Sequence, residues 1–426
     1  MTPAARTPWW IPPFLGRAPA LPPPLLRLLG LVALALFFEQ YDLSMLTSAL
    51  PFIARDLGMT EATLGPQLGA IRLGAVPAFL LVPFADRVGR RAVFLLCVVG
   101  VSVGTFATAF AQTATQFVAV QMLARTFVVA GSAVAFVIVT EEFPAEHRGW
   151  AIGMLGALGA CGHGLGALLF AAIEWLPHGW RALYAVGLAP VLLVPFFRRH
   201  IGETERFARH RRDGPASTLP GWYRPLLGLA RTHPGRAAAL AAAGLLVATG
   251  QVSVFQFTSW FTREVHGWSP PQFSTMVLLG GAVGIIGHIV AGRLGDRVGR
   301  RIVGFGSFAL FPVFAWLFYH GAGWAVPVAW VLFVFCGTAG EMVLRALSTE
   351  LFPTAHRGTS AGWLSLVETL GWALGLGLLG LAHPETPRDI AHVTGALSVV
   401  VLFGGAALFA LPETRRRELE AISEPA

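Results

Sequence analysis

Long apolar runs separated by short polar segments dominate this chain. Twelve runs of about 20 residues are each long enough to cross a bilayer as a helix. They cover residues 27–52, 64–84, 92–111, 117–140, 150–176, 180–197, 237–261, 275–294, 302–320, 326–349, 359–382 and 393–411. The runs are continuously apolar rather than alternating, which favours helices over a transmembrane β-barrel. The pattern therefore predicts an all-α membrane protein with twelve transmembrane helices.

A polar segment divides these runs into two sets of six. Residues 198–236 carry nine arginines and contain no apolar run long enough to span a bilayer. We therefore predict five segments along the chain. They are an N-terminal tail (1–26), an N-terminal six-helix bundle (27–197), a linker (198–236), a C-terminal six-helix bundle (237–411) and a C-terminal tail (412–426).

Three charged motifs recur in the same order at nearly one spacing. Residues 85–91 (ADRVGRR) recur 210 residues later as GDRVGRR, and residues 202–206 (GETER) recur 210 residues later as PETRR. Residues 141–149 (EEFPAEHRG) recur 209 residues later as ELFPTAHRG. The repetition predicts two parallel structural repeats, an architecture that places the solute site between the halves near mid-membrane.

Charge is scarce and unevenly distributed. Only 13% of the residues are charged and 55% are hydrophobic, whereas about 25% are charged in a soluble domain. All 31 basic residues are arginine, and most fall in the tails, the linker and alternate loops. This asymmetry predicts a multi-pass inner (plasma) membrane protein with both termini cytoplasmic. We expect a lipid bilayer and a small-molecule solute as partners, no nucleic acid, and a monomer.

The sequence offers little for enzyme or metal chemistry. It has no His-Glu-x-x-His zinc helix, and Cys97, Cys161 and Cys336 are scattered singly, without metal-ligand spacing. We therefore predict no enzyme activity, no metal site and no cofactor. The one coupling ion that we expect is the proton, for which the acidic residues described below are the candidates.

At the repeated loops the sequence resembles the major facilitator superfamily. Residues 292–301 (GRLGDRVGRR) match the family's loop motif, while the first copy departs from it at Val82 and Phe84. Residues 143–149, 201–204 and 412–422 are similar to the sugar-porter and aromatic-acid (metabolite):proton symporter branch. The resemblance implies two pseudo-symmetric six-helix bundles and secondary active transport by alternating access.

The resemblance also implies two charged networks that act as a cytoplasmic gate. In the family such networks hold the outward-open state and break when the inner side opens. An Asp at a helix end and adjacent arginines suit this role because they pair with neighbouring helix starts and acids. The alternative is that these residues only fix topology. The gate residues would be Asp86, Arg90, Arg91, Glu141, Arg148 and Glu203, with Asp296, Arg300, Arg301, Glu350, Arg357 and Glu413.

Ionisable residues inside the apolar runs need a partner or a purpose, because each costs roughly 2.5–3.5 kcal/mol at mid-bilayer. Glu39 and Asp42 share one face of the first predicted helix. Repulsion between the two carboxylates and burial both disfavour the ionised form of at least one of them, which suits the pair to carrying a proton. Arg125 occupies the position of the arginine that the branch pairs with this Asp. We predict Asp42 as proton acceptor, Arg125 as its switchable partner and Glu39 as a modulator or second site. A static buried ion pair is the alternative.

Seven further residues are candidate solute contacts. Arg72 could clasp a carboxylate or pair with Glu39 or Glu368. Glu341 and Arg345 lie four apart and could satisfy one another. Amides among aromatics in the seventh run suit a cavity wall, although the paired Gln of sugar porters is missing. The candidates are Arg72, Gln251, Gln256, Trp260, Glu341, Arg345 and Glu368.

These features predict a proton-coupled symporter of a small polar organic solute. Three guanidinium groups, on Arg72, Arg125 and Arg345, favour an organic or aromatic acid as the solute. Four acidic side chains inside the predicted spans argue against an anionic solute. The alternatives are a proton-coupled exporter, a transporter of a cationic or zwitterionic solute or drug, and a sugar transporter. A non-transporting membrane sensor is less favoured.

Overall fold

The computed structural model of the protein describes residues 8, 10–11, 19–203, 224–352 and 357–415. Within these residues, twelve helices are long and apolar enough to cross a membrane, as the hydrophobic pattern predicts. The part of the chain that is described contains no β-strand. The helices are α1 (Pro23–Ser48), α2 (Glu61–Val82), α3 (Arg90–Thr108), α4 (Ala114–Glu142), α5 (Glu146–Phe170), α6 (Trp180–His200), α7 (Pro234–Glu264), α8 (Pro270–Val298), α9 (Arg300–His320), α10 (Ala325–Glu350), α11 (Thr359–Leu381) and α12 (Pro387–Ala410).

Proline breaks two spans that the hydrophobic pattern alone predicts as continuous. The chain after α1 continues as a separate helix, Leu50–Leu57, with a proline in its first turn. Span α2 consists of Glu61–Leu73 and a second helix, Ala78–Val88, that begins directly after Pro77. Proline has no N–H to donate and its ring clashes with the preceding turn, so a helix ends or kinks at such a site.

Other interruptions occur in the second half and beside the linker. Span α7 consists of Pro234–Gln256 and Thr258–Glu264, with Phe257 between them. A short helix, Arg224–Thr232, precedes α7. Spans α6 and α12 are also segmented, as Trp180–Ala185, Val186–Leu188 and Ala189–His200, and as Pro387–Ser398, Val400–Ala407 and Leu408–Ala410.

Large apolar side chains cover the outside of the helices. Leu168 on α5 is 56% exposed, Leu192 on α6 is 74% exposed and Phe403 on α12 is 59% exposed. A water-soluble surface would rarely present so many apolar residues, whereas the hydrocarbon of a bilayer accommodates them. The chain is a multi-pass membrane protein.

The two halves repeat one packing scheme. In the first half α1 packs on α5 and α3 on α4, and in the second half α7 packs on α11 and α9 on α10. Each pair is related to its counterpart by a shift of six helices. Between the halves α2 packs against α11 and α5 against α8, which obey the same shift. The fold is thus a pseudo-symmetric pair of six-helix bundles meeting along a seam.

The repeated loops lie at one end of the molecule, which we call the basic end. It contains the connections α2–α3, α4–α5, α8–α9 and α10–α11 and the start of the C-terminal segment. The other end, called the opposite end, contains the connections α1–α2, α3–α4, α5–α6, α7–α8, α9–α10 and α11–α12.

One glycine in each half gives the loop repeat its shape. Gly89 has φ 116° and ψ 144°, and Gly299 has φ 126° and ψ 140°. Side chains rarely tolerate this backbone region. Each glycine therefore ends one helix and allows the next to begin at once, at Arg90 or Arg300.

We expect Gly299→Ala to lower the free energy of unfolding by about 1–3 kcal/mol, the usual cost of such a strained backbone. A Cβ at this position would also lie 2.9 Å from Oε2 of Glu413. Gly306→Ala on α9 is the control, because a Cβ there meets open space. Thermal unfolding in detergent measures both, and equal melting temperatures would contradict the assignment.

Candidate functional site

Two broken helices bring Arg72 and Gln256 together at the seam. Arg72 lies in the last turn before the break in α2, and Gln256 is the last residue before the break in α7. Nη2 of Arg72 donates a hydrogen bond to Oε1 of Gln256, at 2.9 Å. Helix breaks of this kind often line binding sites in transporters. Two predicted solute contacts, one from each half, therefore meet directly.

Arg125 of α4 lies beside Arg72. Its neighbour Thr126 donates to the carbonyl of Gly74, at 2.6 Å, and so satisfies a group freed by the break in α2. Both guanidinium groups lie against the indole of Trp372 on α11, with Cζ-to-centroid distances of 5.5 Å for Arg72 and 5.9 Å for Arg125. Cations at this distance are attracted to the ring face. The result is a pair of arginines from the first half facing an aromatic platform from the second.

Parts of both guanidinium groups have no hydrogen-bond partner among the described residues. The unpartnered buried atoms are Nε of Arg72 and both Nε and Nη1 of Arg125. Arg125 is only 6% exposed. A buried donor without an acceptor is costly, so these atoms suit an anionic ligand that supplies oxygens.

The two acids of α1 point into the first half rather than into the seam. Asp42 accepts a hydrogen bond from the Thr105 hydroxyl of α3, at 2.8 Å, and Glu39 accepts one from the Ser132 hydroxyl of α4, at 2.6 Å. Both acids are almost fully buried, at 3% and 2% exposed. The second oxygen of Glu39 has no partner in the described part of the chain. Glu39 therefore sits in a site where ionisation is poorly compensated.

No ion pair joins Asp42 to Arg125, although the structure describes both side chains. Asp42 is held by Thr105 instead, while the charges of Asp42 and Arg125 remain close enough to interact. Arg125 thus interacts with the buried Asp42 within the first half and with Trp372 at the seam. The sequence indicates both charged residues as candidates, but it cannot show which groups contact Arg125.

Glu341, Arg345 and Glu368 form a separate cluster in the second half. Nη2 of Arg345 lies 3.3 Å from Oε2 of Glu368, so the described partner of Arg345 is on α11 rather than Glu341 on its own helix. The Arg345 side chain is 53% exposed and that of Glu368 is 8% exposed. Arg72 contacts Gln256 instead of the two acids that the sequence suggests, and it forms an ion pair with neither Glu39 nor Glu368 in this structure.

The remaining two candidates do not join the arginine pair. Gln251 is 4% exposed and its Nε2 lies near Gly337 of α10 without a hydrogen-bond partner in the described residues. Trp260 follows the break in α7, and its indole N–H likewise has no partner there.

The opposite end carries a seal between the halves that sequence reasoning missed. Arg263 of α7 forms an ion pair with Glu174, at 3.0 Å, and its guanidinium lies 4.6 Å from the ring centroid of Phe52. The Ser259 hydroxyl donates to the carbonyl of Ser48, at 2.6 Å. One sequence feature could have indicated this contact, because Arg263 is one of the few arginines outside the basic end. Its partners Phe52 and Glu174 lie in two short helices of the first half, and no sequence spacing indicates them.

At the basic end of the first half, the predicted gate residues form a network. Arg90 pairs with Glu141 at 3.2 Å, and the backbone N–H groups of Arg90 and Arg91 donate to Oε1 of Glu203, at 2.9 and 3.3 Å. The Arg91 side chain donates to the carbonyl of Arg198, and Arg148 donates to that of Phe143, at 3.5 Å. The Glu203 carboxylate thus caps the start of α3.

The second half repeats this network. Arg300 pairs with Glu350 at 2.7 Å and with Asp296 at 3.2 Å. The backbone N–H groups of Arg300 and Arg301 donate to Glu413, at 2.9 and 3.2 Å. In both networks, each of these ion pairs and hydrogen bonds joins residues of the same half. The side chains of the remaining two gate candidates, Asp86 and Arg357, lie outside the described residues.

Family comparison identifies the kind of protein that carries this site. Residues 32–376, well over half of the chain, match the family model of the Major Facilitator Superfamily. The chain belongs to the major facilitator superfamily. This member of the superfamily is a transporter of small molecules and not an enzyme.

Curated relatives and solved structures span nearly the whole chain. A probable 4-methylmuconolactone transporter from Cupriavidus pinatubonensis is 27% identical, over 91% of this chain and 90% of its own length. A gallate transporter from Pseudomonas putida is 26% identical, over 93% of this chain and 94% of its own. A bacterial homologue of the human lysosomal transporter Spinster, solved in an inward-facing and occupied conformation, has a TM-score of 0.73 at 16% identity. That match covers 95% of this chain and 100% of the solved one.

One sequence feature invites another interpretation of this transporter. Residues 358–362 read Gly-x-Ser-x-Gly, a hydrolase pattern when it follows a strand, but here they open helix α11 and Ser360 donates to the Ser348 carbonyl. Within the described residues, no group of three or more His, Cys, Asp or Glu side chains is placed to hold a metal ion.

The Glu413 cap gives a pH-dependent stability. Partial burial raises the pKa of Glu413, but backbone N–H donors outweigh it and hold that pKa below its ordinary value of 4.5. The donors are Arg300, Arg301, Thr414 and Arg415. Because folding lowers this pKa, the stabilisation is complete above 4.5 and is lost as pH falls through the lowered value.

We therefore expect Glu413→Gln to lower the free energy of unfolding by about 1 kcal/mol at pH 7. The difference from the wild type should shrink in strong acid, where both side chains are neutral. Glu385→Gln, on an exposed residue at the opposite end, is the control. Thermal unfolding at pH 7 and in acid measures both variants, and a difference that persists unchanged in acid would contradict this role.

Proposed function

We propose that this transporter is a proton-coupled symporter of a small organic acid, and that Arg125 links proton binding to solute binding. The observation that carries the proposal is that Arg125 lies close to both the buried Asp42 and the indole of Trp372. Asp42 would accept the proton, with Glu39 as a modulator or second proton site. The solute carboxylate would bind Arg125 and Arg72 from the seam.

Competition for Arg125 supplies the coupling. An ionised Asp42 and a solute carboxylate both attract the same guanidinium, and uncompensated buried charge is costly. Protonation of Asp42 would release Arg125 to the solute. A proton and a carboxylate that bind together leave the net charge of the site unchanged, so the empty and the fully loaded protein bury the same charge. A protein that has bound only the proton or only the solute would bury one additional charge, and this cost would oppose the rocking of its two halves.

The site also favours an aromatic solute. The Trp372 ring offers a stacking face beside two guanidinium groups, which suits a flat ring that carries a carboxylate. Two relatives are named for gallate and 4-methylmuconolactone, and these names support the same class of solute. By the positive-inside rule, the arginine-rich loops support a cytoplasmic position for the basic end of an inner-membrane protein. The seal at the opposite end would then face outward and open during the cycle.

A cationic or zwitterionic solute is the second candidate. Glu341 and Glu368 outnumber Arg345 in the cluster of the second half, so that cluster has a net negative charge available to an amine. Proton-coupled export of such a solute or drug would use the same helices in the other direction.

The coupling role of Asp42 is tested with Asp42→Asn in proteoliposomes. We expect gallate counterflow to persist, because exchange needs no net proton movement, while accumulation driven by an inward pH gradient falls to the level without a gradient. Glu385→Gln, on an exposed residue at the opposite end, is the control and should retain both activities. Equal retention of counterflow and gradient-driven uptake in Asp42→Asn would remove Asp42 from this role.

The solute class is tested by comparing Arg72→Gln with Arg345→Gln. We expect Arg72→Gln to weaken gallate and benzoate binding by about 10-fold to 100-fold, as for a lost charge-assisted hydrogen bond. Arg345→Gln should change that affinity less than about twofold. Equilibrium binding of labelled solute measures both, with benzamide and phenylethylamine as neutral and cationic probes. Preferential binding of phenylethylamine would favour the second candidate.

A further inference from the structure

Gln256 makes an unusual contact with the arginine pair. Among the described residues, its amide oxygen is the one hydrogen-bond acceptor that reaches a side chain of either Arg72 or Arg125. Gln256 is 1% exposed, and its Nε2 donates to the carbonyl of Leu46 on α1, at 3.3 Å. One amide of the second half is therefore tied to two helices of the first.

The amide oxygen of Gln256 engages a nitrogen of Arg72 that a bidentate solute carboxylate would also use. A bidentate carboxylate needs two donors of one guanidinium, and Nη2 of Arg72 is already engaged by Gln256 while its Nε is unpartnered. Nη2 carries two N–H groups, and Gln256 competes with the solute when it uses the one that faces Nε. The solute then binds both donors when Gln256 moves away. The same movement weakens a hydrogen bond that joins the halves.

We propose that Gln256 is an internal competitor for the solute carboxylate, which occupies Arg72 in the empty transporter and leaves it when solute binds. This inference rests on the proposed function, since it requires Arg72 to bind the solute. A neutral amide gives a weaker hydrogen bond to a guanidinium than a carboxylate does. Gln256 therefore yields to an acid but not to a neutral isostere, which makes it a specificity-determining residue.

Gln256 also stabilises the empty transporter while its halves close and return to the starting conformation. Without a solute, Arg72 would be a desolvated cation with no acceptor, which is costly inside a closed seam. The Gln256 oxygen satisfies it, and the halves can close around the empty site. When solute binds, the loss of this contact removes one hydrogen bond between the two halves at the seam.

Two substitutions of opposite expected effect test the proposal. Gln256→Leu removes the competitor and should tighten gallate binding about tenfold, while net uptake slows relative to exchange. Gln256→Glu is nearly isosteric and places a permanent carboxylate on Arg72, so it should weaken gallate binding by about tenfold or more. Ser259→Ala, which removes another hydrogen bond between the halves without touching an arginine, should leave the affinity unchanged.

Three results would overturn the proposal. Weaker gallate binding in both Gln256 variants would make Gln256 a solute ligand instead. Equal effects of Gln256→Leu and Ser259→Ala would make it an ordinary contact of the seam. No change in either Gln256 variant would give it no role at the site.

A measurement without solute separates this proposal from the proposed function. Phenylglyoxal modifies free guanidinium groups, and mass spectrometry of purified protein reports how much Arg72 reacts. We expect Arg72 labelling to rise severalfold in Gln256→Leu and not in Ser259→Ala, whether or not gallate binds or protons couple. Unchanged labelling in Gln256→Leu would contradict the occupancy of Arg72 by Gln256, even if transport proved to be proton-coupled.

Discussion

A charge enclosed between the two halves needs compensation at every step of a transport cycle, because the interior of a membrane protein disfavours isolated charge. This constraint acts directly on the group formed by Glu39, Asp42, Arg72 and Arg125. The fold can satisfy these residues in more than one way, since Arg125 lies close to both an acid and the seam. Under the proposed mechanism, a proton and a carboxylate enter together and change the partners without changing the total charge. Coupling then follows from charge compensation and needs no separate device.

The architecture gives this exchange of partners its mechanical effect. Arg72 and Arg125 belong to the first half, whereas Trp372 and Gln256 belong to the second. The breaks in α2 and α7 place Arg72 and Gln256 at helix ends, where side chains from the two halves meet. Farther toward the opposite end, the contact of Arg263 with Glu174 and Phe52 closes the seam. A change at the arginine pair thus acts on the same surfaces that separate when the halves rock.

The sequence predicts the parts of this protein that depend on local or repeated chemistry. Twelve spans follow from apolar length, and the residues of both basic-end networks belong to motifs found twice. The motif suggests an Asp as the acceptor for the next helix start, whereas Glu203 and Glu413 cap those starts in the structure. The strongly charged residues of the site also stand out, because ionisable groups are rare in hydrocarbon. Even the break in α2 has a local sign in Pro77, although apolar length alone predicts a continuous span there.

Other parts of the site depend on contacts between distant segments. Trp372 is one of many tryptophans, and nothing in its own helix indicates that two arginines from other helices converge on it. Gln256 differs from Gln251 only in its place relative to the break at Phe257. Arg345 has an acid four residues before it, yet it contacts Glu368 on another helix. Sequence spacing describes one helix face and cannot rank partners across helices.

In the proposed mechanism one proton accompanies each carboxylate, which makes transport electroneutral. Proteoliposomes can be given either a pH gradient without a membrane potential or a potassium-diffusion potential without a pH gradient, and gallate accumulation followed in each. Compensated exchange predicts accumulation with the pH gradient and none with the potential. Accumulation driven by the potential alone would contradict it, because a net charge would then cross with each solute.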